Sequence, residues 1–145
     1  MLIGISPVVG PELLSVLHRM GHGDEIVLAD AHFPGESCGQ RVLRSDGIRI
    51  ADLLSGILPL ISLDLYVDSP VIMMAAVKGD KLDGSVERAY RKEIDNYWPN
   101  TPDVQYLERY DFYNRTRDAF AVVMTGEMAK YGNVILRKGV TPIEL

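Results

Sequence analysis

The residues best suited to carry chemistry flank one apolar segment near the amino terminus. His22 stands between two glycines before the segment, and Asp30 and His32 follow it. Residues 26–29 are apolar without interruption, which is typical of a strand covered on both faces. A straight strand of five residues would hold His22 and Asp30 about 17 Å apart. Because glycine permits positive φ, we expect the chain to fold His22 back over the strand, towards the crevice where α/β sheets bind ligands.

An imidazole and a carboxylate in one crevice predict either acid–base catalysis or metal binding. The imidazole can take or give a proton near neutral pH. His22, Asp30 and His32 are also ligand types for Zn²⁺ or Fe²⁺, although their spacing matches no known metal signature. We expect no metal, and a metal-dependent hydrolase or isomerase stays open as an alternative. Cys38 is predicted to be structural or incidental rather than reactive, and residues 126–130 lack the pattern of a phosphate-binding loop.

Apolar periodicity predicts helices and strands that alternate along the chain. Helices with apolar residues at three- and four-residue spacing are predicted over 11–20, 50–61 and 84–97. A further short helix is predicted over 111–117, because Asp111 suits its cap. The strands are short apolar runs, predicted over 26–29, 40–44, 71–77, 104–109, 119–125 and 133–137. Residues 32–39 are rich in helix and strand breakers and are predicted to be a loop. This alternation indicates a three-layer α/β domain.

Length, charge and cysteine content limit the possible classes of protein. The 145 residues contain no linker, repeat or low-complexity tract, so residues 1–145 are predicted to form a single domain. A net charge of −5 and scattered basic residues argue against nucleic acid and against a membrane surface as partners. No apolar run approaches the roughly 18 residues that span a bilayer. One cysteine, Cys38, excludes an internal disulfide and suits a reducing environment, so we expect a cytoplasmic protein.

Six short segments carry a resemblance to a known family. They are GHGDE at 21–25, DAHFP at 30–34, MMAAV at 73–77, FY at 112–113, TGE at 125–127 and KYGN at 130–133. In this order they resemble the RbsD/FucU family, in which L-fucose mutarotases and ribose pyranases belong together. The resemblance runs from residue 3 to about residue 142, and the arginine at position 109 resembles the fucose branch.

The resemblance implies a fold, an activity and a set of site residues. The implied fold is a three-layer α/β/α sandwich with a largely parallel or mixed central sheet, and the implied assembly is a ring-shaped homo-oligomer, a decamer. The implied activity is the interconversion of the α and β anomers of L-fucopyranose without a cofactor. An enzyme for ribose or another monosaccharide, or a sugar-binding protein without catalysis, stays open. By resemblance His22 is catalytic, and the sugar-contacting residues are Asp30, Arg109, Tyr131, Gly132 and Asn133.

These residue types suit the chemistry of anomer exchange. A base must take the proton of the anomeric hydroxyl while an acid protonates the ring oxygen, and His22 can do either. Asp30 can orient His22 or hold a sugar hydroxyl, and Arg109 offers a fixed fork of donors. Tyr131 offers a ring face or a hydroxyl, and Asn133 offers both a donor and an acceptor. Since residues 128–131 add apolar surface near the carboxyl terminus, we also expect a neighbouring subunit to complete the site.

Overall fold

The computed structural model describes residues 1–144, in which five helices and six strands follow one another. The helices are α1 (Pro11–Arg19), α2 (Gly35–Cys38), α3 (Ile50–Ile57), α4 (Gly84–Tyr97) and α5 (Arg109–Asp118). The strands are β1 (Glu25–Ala29), β2 (Val42–Ser45), β3 (Val71–Met74), β4 (Gln105–Leu107), β5 (Ala121–Thr125) and β6 (Val134–Arg137). Each predicted helix and strand is present. Helix α2, one turn long, lies within the segment that was predicted to be a loop.

Capping residues and prolines explain most of the helix boundaries. The predicted bounds of α4 are confirmed, and Asp83 caps its first turn by accepting the Ser85 N–H at 2.9 Å. Helix α3 ends at Ile57, two residues before Pro59, because proline has no N–H for a helical hydrogen bond. The prediction that Asp111 caps α5 is wrong. That helix begins at Arg109 almost directly after β4, so Asp111 lies within its first turn.

The six strands form one mixed sheet in the order β2-β5-β1-β6-β3-β4. Strand β5 pairs in parallel with β1 and β2, and β3 pairs in parallel with β4. Strand β6 is antiparallel to both of its neighbours, β1 and β3. The carboxyl ends of five strands and the amino end of β6 therefore lie along the same edge of the sheet.

The sheet separates two apolar layers, which confirms the predicted three-layer α/β/α sandwich. Alternate side chains of β1 point to opposite faces: Ile26 and Leu28 belong to one buried cluster, and Val27 and Ala29 belong to the other. Helices α1, α3 and α4 cover the first face, and α2 and α5 lie on the second, where Phe112 is fully buried. No helix among residues 1–144 is both long and apolar enough to cross a membrane.

Candidate functional site

A cavity of about 460 Å³ opens at the edge of the sheet where the parallel strands end. Its volume lies within the range of small-molecule sites, roughly 300–1,000 Å³. Four of the five predicted sugar-contacting residues line it, together with an apolar wall. The lining residues are Asp30, His32, Phe33, Met74, Val77, Arg109, Tyr113, Lys130, Tyr131 and Asn133.

Asp30 and Asn133 meet at the floor of the cavity because of the strand directions. Asp30 directly follows β1 and Asn133 directly precedes β6, and these two strands are antiparallel neighbours. The Asn133 Oδ1 accepts the Asp30 backbone N–H at 2.7 Å, and both residues are buried. Burial raises the pKa of the Asp30 carboxyl above its ordinary value, although the His32 N–H, at 3.0 Å from its Oδ1, opposes the change. The carboxyl group is thus a fixed hydrogen-bonding group facing a concave space.

Tyr131 stands at the rim in a conformation that few non-glycine residues adopt. Its φ is +57°, in the left-handed region. The Tyr131 hydroxyl donates to Asp80 Oδ2 at 2.7 Å, and the Lys130 ammonium contacts the same oxygen at 2.8 Å. The Lys130 and Tyr131 hydrogen bonds hold the pKa of the Asp80 carboxyl below its usual range. Asp80 does not line the cavity, so these bonds hold the Tyr131 ring at the rim by a contact on its outer side.

Gly132 shapes the cavity without lining it. Its carbonyl accepts the Tyr90 hydroxyl at 2.7 Å, and its N–H donates to the Ala129 carbonyl. A Cβ at this position would lie 2.9 Å from the Ala129 carbonyl oxygen, so no larger residue fits without movement of the backbone. Its predicted role in sugar contact stays a prediction; the structure shows that it packs tightly between Tyr131 and Asn133 and accepts the Tyr90 hydroxyl.

Arg109 enters the cavity from the first residue of α5. Its Nε donates to the Tyr113 hydroxyl at 2.9 Å, one turn further along the same helix. The guanidinium carbon lies 5.4 Å from the Tyr113 ring centre and 5.5 Å from that of Tyr110, within the range of cation–π contacts. Of the three guanidinium nitrogens of Arg109, Nε alone has a hydrogen-bond partner in the part of the chain that the structure describes. The remaining N–H groups can therefore donate to a ligand.

Glu127 is a site-forming residue that the sequence reasoning missed. It is buried, and its Oε2 accepts the N–H groups of Met128 and Ala129 at 3.0 and 3.3 Å. Its carbonyl accepts the Ala31 N–H at 2.8 Å, which ties the loop before β6 to the loop after Asp30. The available signal was the position of Glu127, two residues after the end of the buried strand β5.

Five lining residues were also missed as members of the site: Phe33, Met74, Val77, Tyr113 and Lys130. Met74 ends β3 and Val77 follows it, so both lie at the carboxyl edge that a parallel sheet uses for ligands. All five belong to segments that carried the family resemblance, but the aromatic character of Phe33 and Tyr113 and the charge of Lys130 did not by themselves separate these residues from core or surface positions.

His22 lies at the opposite edge of the sheet, so the expectation that it folds back over β1 is wrong within one chain. Gly23 does have positive φ, +88°, but its N–H donates to the Lys138 carbonyl at 2.8 Å, next to the end of β6. The His22 Nε2 lies 3.1 Å from Asp64 Oδ1, and the side chain is 46% exposed. Asp64, and not Asp30, is the carboxylate that contacts His22.

The distance of His22 from the cavity also argues against a metal site formed by His22, Asp30 and His32. His22 lies apart from Asp30 and His32, so the three candidate ligands do not converge in one chain. Among residues 1–144 no group of three or more His, Cys, Asp or Glu side chains is placed to hold a metal ion. Cys38 is buried in α2. The ligands that the metal alternative would need, His22 and His32, therefore lie apart in the described part of the chain.

Comparison with known proteins establishes the family to which this chain belongs. An L-fucose mutarotase of Haemophilus influenzae (strain PittGG) is 57% identical over 143 residues, which cover 99% of this chain and 99% of that protein. An L-fucose mutarotase of Actinobacillus pleuropneumoniae serotype 5b (strain L20) is 55% identical over 144 residues, 99% of this chain and 100% of that protein. The crystal structure of a fucose mutarotase from Streptococcus pneumoniae in complex with L-fucose has a TM-score of 0.91 and 44% identity, covering 97% of this chain and 100% of that chain. Because the sequence model of the RbsD / FucU transport protein family matches residues 3–141, this chain belongs to that family.

Proposed function

We propose that this chain is an L-fucose mutarotase, an isomerase that interconverts the α and β anomers of L-fucopyranose without a cofactor. One observation carries the proposal. The cavity that joins Asp30, Arg109, Tyr131 and Asn133 lies in a chain that aligns over 97% of its length with a fucose mutarotase solved with L-fucose. A cytoplasmic location is part of the proposal and is supported by the single, buried cysteine.

The cavity has the chemistry that a deoxy sugar requires. Asp30 and Asn133 accept hydrogen bonds from hydroxyl groups, and Arg109 donates to them. Phe33 and Met74 form an apolar wall. L-fucose carries a methyl group where most hexoses carry a hydroxymethyl group, so this wall matches one end of the sugar and the polar groups match the other.

Anomer exchange is a pair of proton transfers with no net change in protons. A base takes the proton of the anomeric hydroxyl, and the carbon–oxygen double bond forms as the bond from the anomeric carbon to the ring oxygen breaks. The electron pair of that bond goes to the ring oxygen, which takes a proton from an acid. Closure on the other face of the carbonyl group reverses these transfers. One or two acid–base groups, each worth about 10²- to 10⁴-fold, are sufficient for a reaction that already proceeds in water.

We assign the catalytic proton transfer to His22 of a neighbouring copy in a homo-oligomer, a ring that the family resemblance predicts to be a decamer. Two features of the surface support the assignment. Around His22, Leu65 is 65% exposed and Tyr66 is 82% exposed. Near the cavity, Met128 is 63% exposed and Tyr110 is 62% exposed. Apolar surface at both edges is more stable against a partner than in water.

Saturation-transfer NMR tests the activity directly. Anomer exchange is measured for L-fucose, D-ribose and other pyranoses, with and without the protein. We expect L-fucose to exchange fastest. Faster exchange of D-ribose would make the chain a ribose pyranase, and binding of L-fucose without faster exchange would make it a sugar-binding protein.

A mixed-oligomer experiment tests the shared site. His22→Ala and Tyr131→Ala proteins, each nearly inactive, are unfolded together and refolded. Some interfaces then pair an intact His22 with an intact Tyr131, and we expect a fraction of the activity to return. The exposed His18→Ala variant serves as the matched control for loss of a histidine and should retain full activity. If verified mixed oligomers exchange fucose no faster than the two parents, each chain builds its own site.

A further inference from the structure

Tyr113 lines the cavity and contacts Arg109, although the family resemblance assigns it no contact with the sugar. The two residues stand four positions apart on α5, so their side chains lie on the same face of the helix. The Tyr113 hydroxyl accepts the Arg109 Nε–H at 2.9 Å, and the Tyr113 ring centre lies 5.4 Å from the guanidinium carbon. Both the hydroxyl group and the ring of Tyr113 therefore hold the guanidinium group in place.

Helix stability does not account for an arginine at position 109. Arg109 is the first residue of α5, where the helix dipole favours negative charge and disfavours a cation. In the part of the chain that the structure describes, no carboxylate forms an ion pair with it. The cation–π contacts and the hydrogen bond that hold it come from Tyr110 and Tyr113. A cation with this placement at the wall of a cavity is suited to a ligand rather than to the helix.

Aromatic packing fixes the ring of Tyr113 in the cavity wall. The Phe33 ring, which lines the same cavity, meets it edge-on with 5.4 Å between ring centres, and the Tyr110 ring does so at 5.9 Å. Such edge-to-face pairs stabilise the arrangement of both rings. Tyr113 also packs against the buried cluster that contains Phe112 and Met74. The hydroxyl group at the tip of this ring is therefore presented at a fixed position.

The bond between Nε and the hydroxyl group determines which donors are left for a ligand. A guanidinium group has five N–H donors, so the four on Nη1 and Nη2 remain, side by side in one plane. The Tyr113 oxygen accepts from Nε, so its own proton points elsewhere, and in the described part of the chain that proton has no acceptor. Because the group that donates to it is charged, the hydroxyl group is polarised and becomes a stronger donor. Two neighbouring donor groups therefore face the cavity together.

We propose that Tyr113 is a sugar-binding residue that acts as one unit with Arg109. Its hydroxyl group holds Nε, so that Nη1 and Nη2 face two adjacent hydroxyl groups of the sugar, and it donates its own proton to a sugar oxygen. Tyr113 takes no part in the proton transfers of anomer exchange, so its contribution is to affinity. The inference rests on the proposed function, in which this cavity holds L-fucose.

Tyr113→Phe removes the hydroxyl group and keeps the ring, so the aromatic packing and the fold are preserved. The variant loses one hydrogen bond to the sugar and the one that orients Arg109. Since each is worth roughly two- to tenfold in affinity, we expect the fucose Kd, measured by titration calorimetry, to rise about tenfold. The exchange rate at saturating sugar should stay within about twofold of the wild type, as for any lost binding contact. An unchanged Kd, or an exchange rate at saturation that falls as much as the Kd rises, would overturn the proposal.

Tyr106→Phe is the matched control. The Tyr106 hydroxyl also bonds to a charged side chain, since it donates to Glu87 Oε2 at 2.6 Å, and Tyr106 lies on β4, just before α5. It does not line the cavity. We expect the fucose Kd of this variant to equal that of the wild type. A rise as large as that of Tyr113→Phe would show that the effect is not specific to the cavity and would overturn the proposal.

A double-mutant cycle tests whether the two residues act as one unit. Arg109→Met roughly keeps the length of the side chain and removes every donor. With no guanidinium group to orient, Tyr113→Phe should raise the Kd of the Arg109→Met protein by a smaller factor than it raises that of the wild type. Equal factors in the two backgrounds would show that the residues act independently and would overturn the proposal.

Sugar analogues test the direct contact between Tyr113 and the sugar. L-fucose analogues that each lack one hydroxyl group are titrated into the wild type and into Tyr113→Phe. The analogue without the hydroxyl group that Tyr113 contacts should show a smaller difference in Kd between the two proteins than L-fucose does. If every analogue shows the same difference as L-fucose, Tyr113 does not touch the sugar and the proposal fails.

The titrations do not depend on catalysis, which separates this proposal from the proposed function. A wild-type protein that binds L-fucose without faster exchange would refute the proposed activity. Equal Kd values for the wild type and Tyr113→Phe, in a wild type that does exchange L-fucose, would refute only the role of Tyr113.

Discussion

The Tyr90 hydroxyl supports the site from the opposite face of the sheet, and its removal is the sharpest test of how the cavity is held. Tyr90 lies on α4, is 1% exposed, and donates to the Gly132 carbonyl at 2.7 Å. Gly132 stands between Tyr131 and Asn133, so this bond fixes the turn that presents both residues. Burial is the main cause that raises the pKa of the Tyr90 hydroxyl above its usual range, and the nearby Glu127 and Asp30 carboxyl groups raise it further. The hydroxyl thus stays a donor throughout any practical assay.

The expected magnitude follows from the acceptor that Tyr90→Phe leaves behind. A buried carbonyl group without its donor destabilises a protein by about 1–3 kcal/mol. The site should respond as well, because a displacement of about 1 Å in a positioned group can reduce a rate by up to roughly 10²-fold. We therefore expect a lower free energy of unfolding, a higher fucose Kd and slower anomer exchange. Tyr97→Phe, on the same helix but 41% exposed, is the matched control and should change none of them.

The assay combines urea denaturation with saturation-transfer NMR on L-fucose. Both variants and the wild type are compared at one protomer concentration, since the stability of an oligomer depends on concentration. If Tyr90→Phe changes the free energy of unfolding by no more than Tyr97→Phe does, the hydroxyl bond does not stabilise the loop. If stability falls but fucose affinity and exchange stay at wild-type values, the loop does not depend on Tyr90 for its position.

Three further predictions concern the charged groups. Burial raises the pKa of Asp30 above its unfolded value, so the folded state binds more protons between the two values and the free energy of unfolding falls as pH rises through that interval. Asp30→Asn should remove this fall, so the variant should be more stable than the wild type near neutral pH, and it should be inactive. Urea denaturation that gives parallel curves of unfolding free energy against pH for the two proteins would contradict this. Asp80→Asn should release Lys130 and Tyr131 and raise the fucose Kd by less than about tenfold, because the pair is exposed, and an unchanged Kd by titration would show that Tyr131 needs no support. Exhaustive chelation should leave anomer exchange unchanged, and activity that is lost and then restored by Zn²⁺ or Fe²⁺ would reverse the assignment of His22 to proton transfer.

The fold was predictable because its apolar patterns are local. The interruption-free runs in β1 and β5 predict strands buried on both faces, and both are fully paired inside the sheet. The spacing of Val86, Tyr90 and Ile94 predicts α4, and Tyr90 and Ile94 are buried on one side of it. The alternation of helices and strands predicts the three-layer arrangement, which the family resemblance also implies and the two apolar clusters confirm.

The candidate cavity was predictable where strand ends determine it. Asp30 follows β1 and Asn133 precedes β6, so two residues far apart in sequence meet once these strands pair. Glu127 was missed because its role depends on backbone N–H groups of its own loop, and an acidic residue in a loop is usually solvated. Its position two residues after a buried strand places Glu127 at the ligand-binding edge of the sheet, but does not reveal which N–H groups its carboxylate accepts.

The position of His22 was not predictable because a long-range backbone contact decides it. Gly23 allows the turn in either direction, and the bond from its N–H to the Lys138 carbonyl selects the edge opposite the cavity. If His22 acts on a sugar held by Asp30, the two edges must come from different copies. A contact between opposite edges is heterologous, and its repetition closes a ring or extends a filament. An oligomer of defined size that builds the proposed site must therefore be a closed ring. Sedimentation of the wild type should give one oligomer, and dissociation of that oligomer should abolish anomer exchange.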